Sequence, residues 1–531
     1  MKQNKITAMN EKLTLPDISK INAELYGDRT AFIFEERITT FSAFEQHSNQ
    51  VAHALIAEGL KPQSRVGILD KDSDYAYQLL FGCAKSNTVL VGINWRLTAD
   101  EISYIAKDSG IEILFTGQDF FHLAEKVAAE VPQIKKIVVL RGSHPVWPGF
   151  ADWKNNYPSD VVTNVSYNEE TPVVQLYTSG TTGHPKGVQL AHYTFFRLMN
   201  EMKKAGDHWM NLNPDDNILV CVPIFHIGGM WWAVQSFIAG SKTIILESFV
   251  GWKVLEAIQT YKITKTAMVP AMIQLCLNEP ICSNTDFSSL KAILYGGSPI
   301  TPVLLKQAIQ TFQCQFYQIY GMTETGNMAV CLRPQDHSPE GAKKKNAAGK
   351  PLPSVQIKII DQQGNILPPE QVGEICIHSP ARMIGYWNNE KATQEILRNG
   401  WIYTGDAGYL DEEGYVYVCD RIKDMIICAG ENIFPAEIEA AIAEHPAVAE
   451  CAVIGIPDDL WGEAVKAFVV LKPHHELKAR DLISFLRSKI ADYKIPKQIS
   501  FEKALPRNAS GKLLKRQLKE PYWQGRERMV N

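Results

Sequence analysis

Residues 177–187 read YTSGTTGHPKG and combine three glycines, three threonines and a serine with a single lysine. The apolar run VVQLY leads into this stretch and predicts a buried strand. The stretch is therefore expected to be a loop at the carboxyl end of a strand, which is where α/β sheets bind ligands. Glycines let a ligand approach backbone N–H groups, hydroxyl groups add donors, and Lys186 adds positive charge. These residue types favour a cradle for a polyphosphate over a polar loop without a ligand.

The surroundings of this loop predict an α/β fold. Short β-branched runs, namely TPVVQLY, KTIIL, KAILYGG and VQIKIID, alternate with longer helical stretches such as AFEQHSNQVAHALIAEGL. Continuous apolar strands between amphipathic helices indicate mostly parallel sheets with both faces covered. The loop itself is not a Walker A motif, because Pro185 stands where that motif carries glycine directly before its lysine.

The pattern changes after Gly349. QIKIIDQQGNILP and GYLDEEGYVYVCDR predict hairpins with glycine-containing turns. PAEIEAAIAEHPAV predicts a helix, because Pro435 and acidic residues occupy its first turn. We place a domain boundary at residues 421–424, beyond which a compact βα pattern resumes.

Composition excludes several classes of protein. The chain of 531 residues can bury a large core, and its net charge of -4 gives no reason to expect nucleic acid binding. Its ten cysteines contain no CxxC pair, which argues against a disulfide framework or a structural zinc site and fits a reducing cytosol. The first residues, MKQNKITAMNEKL, lack the apolar core of a secretory signal. We therefore expect a cytoplasmic protein.

Residues 217–241 contain no Asp, Glu, Lys or Arg and are long enough to cross a bilayer. However, Pro223, His226, Gln235 and a glycine pair interrupt the segment, and such residues are costly at mid-membrane depth. We expect a buried strand over ILVCV, a loop over PIFHIGG and a buried helix over MWWAVQSFIAG. The lysine run at 343–345 could touch an anionic membrane surface weakly, although a solvated loop is the simpler interpretation.

Four further motifs follow in order: YGMTET from Tyr320, WIYTGD up to Asp406, DRIKDMIICAGENIFPAEIE over 420–439, and PRNASGK up to Lys512. Together with YTSGTTGHPKG, they resemble the ordered signature of the adenylate-forming superfamily, which includes acyl-CoA synthetases, luciferases and the adenylation domains of peptide synthetases. NWRLTADEISYI, YGGSPI, VIGIPDDLWGE and DYKIPK resemble further landmarks, so the resemblance covers nearly the whole chain. Within the superfamily, the chain most resembles bacterial long-chain fatty acid–CoA ligases.

The resemblance implies a large N-terminal domain over residues 1–420, with mixed sheets flanked by helices and a distorted β-barrel. It implies a hinge at 421–424, a small mobile C-terminal α/β domain over 425–531, and an active site between the two domains. The small domain would rotate at Lys423, since one cleft must first exclude water and then admit a thiol. A solvated linker lysine is the alternative. Asp420 stands where many family members carry glycine, which could change the flexibility of the junction.

The resemblance also implies two half-reactions. A carboxylate attacks the α-phosphate of ATP to give an acyl-adenylate and pyrophosphate, and the thiol of CoA then displaces AMP. A carboxylate is already ionised at pH 7, so the first step needs positioning and charge neutralisation rather than a general base. The implied partners are ATP, CoA, a fatty acid and Mg²⁺, with no nucleic acid, and the implied assembly is a monomer or homodimer.

The site residues follow from the same motifs. Lys512 matches the mobile lysine that approaches the α-phosphate, and the alternative is a surface charge. Thr178 and Glu324 match the positions associated with magnesium, an ion suited to oxygen ligands. The catalytic residues are Lys512, Glu324 and Thr323. The residues assigned to ATP or AMP are Thr178, Ser179, Gly180, Thr181, Thr182, Gly183, Lys186, Gly297, Ser298, Pro299, Tyr320, Gly321, Thr323, Asp406, Arg421 and Lys512. Gly430 is assigned to CoA.

The sequence specifies the acid substrate less clearly than the nucleotide. His226 stands where many acyl-CoA synthetases carry a gate residue, although a lone histidine is often structural. The segment IGGMWWAVQSFIAG would line the pocket and contains no carboxylate to pair with an amino group, which favours an aliphatic or aryl acid. The residues assigned to the pocket and gate are His226, Met230, Trp231 and Met322. Alternatives are an aryl or medium-chain acid–CoA ligase, a ligase that loads a carrier protein, a luciferase-like monooxygenase and a non-enzymatic acyl-nucleotide sensor.

Overall fold

The computed structural model describes residues 12–178, 184–298, 300–338, 341–342, 344, 346–428, 431–507 and 513–524. Packing divides the chain into two compact units. The larger consists of Met1–Ile357 and Ile377–Ile402, and the smaller consists of Lys358–Cys376 and Tyr403–Asn531. The expected α/β fold, with a large N-terminal part and a small C-terminal part, is confirmed. Rotation at 421–424 stays a prediction, because a division by packing does not describe motion.

One sheet of the larger unit has a parallel centre and antiparallel edges. Its parallel strands are connected through helices, as continuous apolar strands require. The antiparallel pairs lie at the two ends of the order. In space the strands follow the order Ala347–Pro351, Val330–Leu332, Gln315–Tyr320, Ala292–Gly296, Lys265–Met268, Asn217–Val220, Lys242–Ile245, Thr30–Phe34 and Arg37–Thr40. The predicted strands in KTIIL and KAILYGG are confirmed.

A second sheet of the same unit carries the glycine-rich loop. The predicted strand in TPVVQLY is confirmed as Pro172–Thr178, and it pairs in parallel with Val89–Gly92 on one side. On its other side it pairs antiparallel with Lys186–Ala191, so the loop is the tip of a hairpin rather than a strand-to-helix turn. The order is Gly385–Tyr386, Lys186–Ala191, Pro172–Thr178, Val89–Gly92, Arg65–Leu69, Ile111–Gly117 and Lys136–Arg141.

Helices cover these sheets, and local sequence fixes several of their ends. Thr98 and Glu101 form a capping box before Ala99–Ser109, which ends at Gly110 in the left-handed conformation. Thr301 caps the helix that begins at Pro302. The helices of this unit are Leu15–Tyr26, Phe41–Ala57, Asp74–Lys85, Ala99–Ser109, Phe121–Glu130, Phe150–Asn155, Arg197–Lys204, Ile227–Ile238, Gly251–Thr260, Pro270–Asn278, Pro302–Phe312 and Glu390–Ile396.

Most of the segment 217–241 is buried in protein, and His226 is its exposed residue. The segment forms the strand Asn217–Val220 and the helix Ile227–Ile238, which begins three residues before the predicted start at Met230. Gly229 permits this earlier start, because a methyl group there would lie 2.1 Å from the carbonyl oxygen of Val222. Throughout the described part of the chain, each helix is too short or too polar to cross a bilayer. All ten cysteines are free thiols.

The smaller unit contains two sheets. One joins Gln356–Ile360, Gly373–His378, Trp401–Leu410 and Val416–Arg421, and it confirms the predicted hairpin in GYLDEEGYVYVCDR. The other joins Glu431–Ile433, Ile426–Cys428, Gly462–Leu471 and Val448–Asp458, with Gln498–Glu502 parallel to Gly462–Leu471. Its helices are Pro435–Ala443, Ala479–Arg487 and Lys515–Trp523. The helix predicted from Pro435 is thereby confirmed.

Candidate active site

The base of the glycine-rich loop is a pair of aligned residues. Thr178 and Lys186 are cross-strand partners in the hairpin, so the last residue before the loop lies opposite its lysine. The Lys186 Nζ lies 5.2 Å from the centroid of the Tyr386 ring, within cation–π range. The hairpin thus holds a hydroxyl group and a positive charge side by side where the loop begins and ends.

Neighbouring elements hold this hairpin in place. The Trp387 N–H donates to the carbonyl oxygen of Gly187 at 2.7 Å, and the Trp387 indole donates to the carbonyl oxygen of Asp108 at 3.0 Å. From the other side, the Tyr104 ring stacks on His184 with centroids 4.9 Å apart. The base of the loop is therefore anchored to the helix Ala99–Ser109 and to the segment that follows Tyr386.

A buried carboxylate lies next to this base. Glu324 is 4% exposed, and its Oε1 accepts hydrogen bonds from the Thr178 hydroxyl at 3.3 Å and from the Tyr386 hydroxyl at 2.8 Å. Within the described residues, no basic side chain lies within salt-bridge distance of it. Two hydroxyl donors thus orient the carboxylate, while its negative charge is left for a cation to neutralise.

The chain fixes Glu324 through its backbone as well. The residue lies in a single helical turn, Thr323–Thr325, in which Thr323 is half-buried. The Met383 N–H donates to the Glu324 carbonyl oxygen at 2.8 Å. Gly326 follows at φ 81°, and a methyl group there would lie 2.1 Å from the carbonyl oxygen of Ala381. Glycine is required at this point, because any side chain would clash with the segment that carries Tyr386. The turn therefore packs directly against that segment.

The predicted magnesium ligands are brought together. Thr178 and Glu324 supply one hydroxyl and one carboxylate, and Mg²⁺ bound with nucleotide takes one or two carboxylates and completes its shell with phosphates and water. The described residues contain no group of three His, Cys, Asp or Glu side chains arranged to hold a metal. The donor set therefore fits an ion that arrives with a phosphate substrate rather than a dedicated protein cage.

Three further residues predicted to bind ATP or AMP also meet at one edge. Gly297 and Ser298 follow the strand Ala292–Gly296, while Tyr320 ends the neighbouring strand. These two strands are parallel, so both ends lie at the same edge of the sheet. Gly297 adopts φ 80° and is exposed, and Tyr320 is half-buried. An aromatic side chain and an accessible backbone thus lie side by side.

The smaller unit holds the two remaining nucleotide candidates together. Asp406 and Arg421 are cross-strand partners, and their side chains form an ion pair with 2.8 Å between Nε and Oδ1. The Arg421 guanidinium also donates to the carbonyl oxygen of Thr404 at 3.1 Å. Asp406 is buried, so the arginine balances its charge. The predicted contacts of both residues with a nucleotide stay predictions.

Asp420 has a role that the sequence left open. One carboxylate oxygen accepts from the Arg421 N–H at 2.7 Å and the other from the Ala436 N–H at 2.8 Å. Ala436 is in the first turn of the helix Pro435–Ala443, where backbone N–H groups need acceptors. Asp420 therefore ties the chain before Lys423 to the helix after it, whereas glycine would leave this bond unmade. Lys423 lies in the helical turn Ile422–Asp424.

His226 lies immediately before the helix Ile227–Ile238, whose first intrahelical bond runs from the Met230 N–H to the His226 carbonyl oxygen. Its side chain is exposed, yet desolvation and the nearby Arg96 lower its pKa to about 4. The two observations are compatible, because part of the residue reaches solvent while most of its surroundings are protein. The imidazole is therefore neutral at pH 7.

The other pocket candidates are mostly enclosed. Met230 and Trp231 are 0% and 2% exposed, and the Trp231 ring packs edge-on against Trp209 with centroids 5.8 Å apart. Trp232 donates from its indole to the carbonyl oxygen of Leu219 at 3.1 Å, which is a core contact. Met322 is half-buried. His226 and Met322 are thus the members of this set with accessible surface.

Several predicted residues lie outside the described part of the chain, so their placement is left aside. They are Ser179, Gly180, Thr181, Thr182, Gly183, Pro299, Gly430 and Lys512, together with Lys343 and Lys345 of the lysine run.

Sequence reasoning missed Tyr386, which contacts both Glu324 and Lys186. It lies 62 residues after Glu324, in the stretch ARMIGYWNN, and no spacing connects it to the other motifs. Tyr104 and Trp387 were missed for the same reason. The one available signal was the density of aromatic residues in GYW, which is equally typical of a core strand.

Comparison with known proteins identifies the family. Residues 20–387 match the AMP-binding enzyme family, and residues 437–512 match the C-terminal domain of AMP-binding enzymes. The predicted hinge at 421–424 lies in the interval between the two matched regions. Together, the matched regions cover most of the chain.

Two curated relatives match almost end to end. The chain is 45% identical over 518 residues to the fatty acid–[acyl-carrier-protein] ligase ScoC of Streptomyces coeruleorubidus, covering 98% of each chain. It is 34% identical over 516 residues to the 2-succinylbenzoate–CoA ligase of Bacillus cereus strain AH820, covering 96% of this chain and 98% of the relative. The expected likeness to long-chain fatty acid–CoA ligases is therefore supported only in part.

Solved structures of related ligases support the same family. The anthranilate–CoA ligase AuaEII in complex with anthranoyl-AMP superposes with a TM-score of 0.86 at 27% identity, covering 97% of this chain and 98% of that one. The o-succinylbenzoate–CoA synthetase of Bacillus subtilis in complex with its acyl-adenylate superposes with a TM-score of 0.83 at 32% identity, covering 96% and 99%. The same synthetase has also been solved with ATP and a magnesium ion. The chain therefore belongs to the AMP-binding enzymes of the adenylate-forming superfamily and is an AMP-forming ligase.

Proposed function

We propose that this ligase activates an aliphatic carboxylic acid as its acyl-adenylate and transfers the acyl group to a phosphopantetheine thiol. The observation that carries the first step is the joining of Thr178, Glu324 and Tyr386 at the base of the glycine-rich loop. An oriented, buried carboxylate beside hydroxyl groups and Lys186 suits the handling of a metal-bound polyphosphate.

The side chains of this unit would act mainly by positioning. Thr178 and Glu324 would hold Mg²⁺, which when bound neutralises phosphate charge. Tyr386 keeps Glu324 oriented, and Lys186 places a positive charge where the loop ends. Because the attacking carboxylate is already ionised, no residue is required to remove a proton. We assign Lys512 the approach to the α-phosphate, as the family motif implies.

The acid is proposed to be aliphatic. His226 directly precedes an apolar helix, and the neutral imidazole offers no fixed charge to a second ionic group. The relative at 45% identity is named a fatty acid ligase, which supports the same class. Each methylene that such a pocket buries contributes about 0.8 kcal/mol, so kcat/KM should rise with chain length until the pocket ends.

The acceptor is proposed to be a carrier protein, because the relative at 45% identity is a fatty acid–[acyl-carrier-protein] ligase over 98% of both chains. The second candidate is CoA, which the sequence motifs favoured and which the relative at 34% identity uses. Both acceptors present the same phosphopantetheine thiol. The expected cytoplasmic location belongs to this proposal, since ATP and both acceptors occur there.

The experiment measures pyrophosphate release from ATP across saturated acids of increasing length, then product formation with holo acyl carrier protein or CoA. We expect pyrophosphate release to rise with the chain length of the acid and the thioester to form faster on the carrier protein than on CoA. Faster transfer to CoA would move the assignment to the second candidate. A profile that is flat or falls from acetate upwards, or a strong preference for aromatic acids, would contradict the aliphatic assignment.

A further inference from the structure

The C-terminal helix Lys515–Trp523 places two lysines on the side that packs against the protein. Four residues at the spacing i, i+3, i+4 and i+7 share this side of the helix, and they are Lys515, Leu518, Lys519 and Tyr522. Leu518 and Tyr522 pack against a buried apolar cluster that two strands of the smaller unit mainly form. Lysine is seldom enclosed unless its charge is paired, so the two lysines on this side call for acidic partners.

Each lysine pairs with an acid from a different element. The Lys515 Nζ lies 2.8 Å from Oε1 of Glu439, which belongs to the first helix after the predicted hinge. The Lys519 Nζ lies 3.5 Å from Oδ1 of Asp424, which belongs to the turn that contains the predicted hinge residue. The four side chains are between 15% and 21% exposed, so solvent screens both pairs only in part. The C-terminal helix is therefore bonded to the hinge turn and to the helix that follows it.

The pair between Lys515 and Glu439 is held from several directions. The Val453 N–H donates to the same Glu439 Oε1 at 2.7 Å. Burial opposes the charge of Lys515, but the carboxylates of Glu439 and Asp420 outweigh burial and raise the pKa of the ammonium. Asp420, on the other side of the hinge, also accepts from the first turn of the helix that carries Glu439. That helix is thus bonded both to the chain before the hinge and to the end of the chain.

The C-terminal helix also continues from the segment that carries the assigned lysine. Lys512 lies outside the described residues and precedes Lys515 by three positions. The described chain on the two sides of this segment is joined, because the Leu514 N–H donates to the Pro506 carbonyl oxygen at 2.8 Å. The two ion pairs therefore hold the part of the chain to which Lys512 is attached.

We infer that Lys515 and Lys519 are positioning residues for adenylation, which align the C-terminal helix with the hinge turn and with the helix after it. The inference rests on the proposed function and on the role assigned there to Lys512. Well-packed apolar side chains stabilise a fold at least as well as buried ion pairs do. Two ion pairs on one side of one helix therefore fit a role in alignment better than a role in stability.

Neutral double variants separate these two roles. Lys515→Met and Glu439→Gln each leave one charge enclosed without its partner, whereas the double variant removes both charges and should recover the lost stability. Lys519→Met and Asp424→Asn, alone and together, do the same for the other pair. Lys515→Arg is the conservative variant, because it keeps a positive charge beside Glu439.

The matched control is Lys494→Met. It breaks an ion pair of 2.7 Å with Glu437, two residues before Glu439 in the same helix, and the Lys494 side chain is 18% exposed. This pair does not include a residue of the C-terminal helix. Lys494→Met therefore reproduces the loss of a partly enclosed ion pair in the smaller unit without releasing that helix.

Three quantities are measured in each variant. They are the single-turnover rate of pyrophosphate release with the acid that the wild-type protein adenylates fastest, the rate of thioester formation from preformed acyl-AMP, and the free energy of unfolding in urea. We expect both double variants to lose about tenfold in adenylation at near wild-type stability, because a small misplacement of a reacting group is costly. Thioester formation, and adenylation by Lys515→Arg and Lys494→Met, should stay within about twofold of the wild-type rates.

Two results would overturn the inference and leave the proposed function intact. One is adenylation that recovers together with stability in both double variants, and the other is an equal fall of both half-reactions. Each would show that the ion pairs serve the fold alone. A wild-type protein that adenylates no carboxylic acid would overturn the inference and the proposed function together.

Discussion

The region that we assign to the nucleotide and the region that we assign to the acid differ in how their residues are held. On the nucleotide side, Thr178, Lys186, Glu324 and Tyr386 are joined by hydrogen bonds and a cation–π contact within one framework. On the acid side, Met230 and Trp231 are enclosed by other side chains, whereas His226 and Met322 have accessible surface. Binding a polyphosphate requires a few polar groups in fixed positions, whereas binding an apolar chain depends on the shape of a surface formed by many side chains.

The largest effect is expected from the residue assigned to the α-phosphate. Lys512→Ala should lower the rate of acyl-adenylate formation about 10³-fold, because the charge that develops at the α-phosphate would lose its mobile cation. Thioester formation from preformed acyl-AMP should stay within a few-fold of the wild-type rate. Single-turnover assays of each half-reaction measure the two effects, and an equal fall in both, with the protein folded, would refute the assigned role.

Glu324→Gln should have the next largest effect. The substitution keeps the shape and the two hydroxyl donors but removes the charge, so adenylation should fall about 10²-fold and the Mg²⁺ concentration for half-maximal rate should rise. Tyr386→Phe is the matched control, since it removes one orienting hydrogen bond and should cost only a few-fold. If both variants showed the same modest loss and an unaltered Mg²⁺ dependence, Glu324 would be a structural residue.

A smaller effect is expected where the chain passes to the C-terminal helix. Asp420→Ala removes the acceptor of the Ala436 N–H and should lower the free energy of unfolding of the smaller unit by about 1 kcal/mol. The ratio of the two half-reaction rates should also change, because the bond ties together residues on both sides of Lys423. Chemical denaturation and separate half-reaction assays test these points, and Asp420→Asn, which keeps one acceptor oxygen, should lie between the alanine variant and the wild type.

The smallest effect on activity is expected from the titration of two desolvated histidines, His226 and His192. Desolvation lowers the pKa of His226 to about 4 and that of His192, which accepts from the Leu15 N–H at 3.2 Å, to about 3. Unfolding returns both groups to about 6.5, so the unfolded state binds more protons below that pH. Their contribution to stability is complete above about pH 6.5 and is lost as the pH falls towards 4 and 3.

Two measurements follow from these shifts. Denaturation between pH 4 and 7 should show a shallower loss of stability on acidification in His192→Gln than in the wild type. The rate of adenylation should have the same pH profile above pH 5.5 in His226→Gln and in the wild type, because the imidazole is neutral throughout that range. An inflection near pH 6.5 that disappears in His226→Gln would show that the histidine becomes protonated near its ordinary pKa and is not desolvated.

Particular residues show how far the sequence can be interpreted by itself. The strand Pro172–Thr178, the helix from Pro435 and the hairpin in GYLDEEGYVYVCDR were predictable, since each depends on local propensity and periodicity. The pairing of Thr178 with Glu324 followed only from the resemblance, because nothing local connects residues that lie 146 positions apart. The role of Tyr386 and the bond from Ala436 to Asp420 could not be predicted, since each depends on contacts between distant segments.

The sequence by itself determined that this protein is α/β, that a glycine-rich loop lies at a strand end, and that the chain belongs with adenylate-forming enzymes. These properties are encoded in consecutive residues, whose spacing sets both backbone conformation and the order of motifs. Only the tertiary structure decided that Trp232 belongs to the core, that His226 is accessible yet neutral, and that a methyl group would fit at Gly228 but not at Gly229. The physical reason is that burial, desolvation and free volume depend on which distant atoms surround a residue, and its sequence neighbours do not specify them.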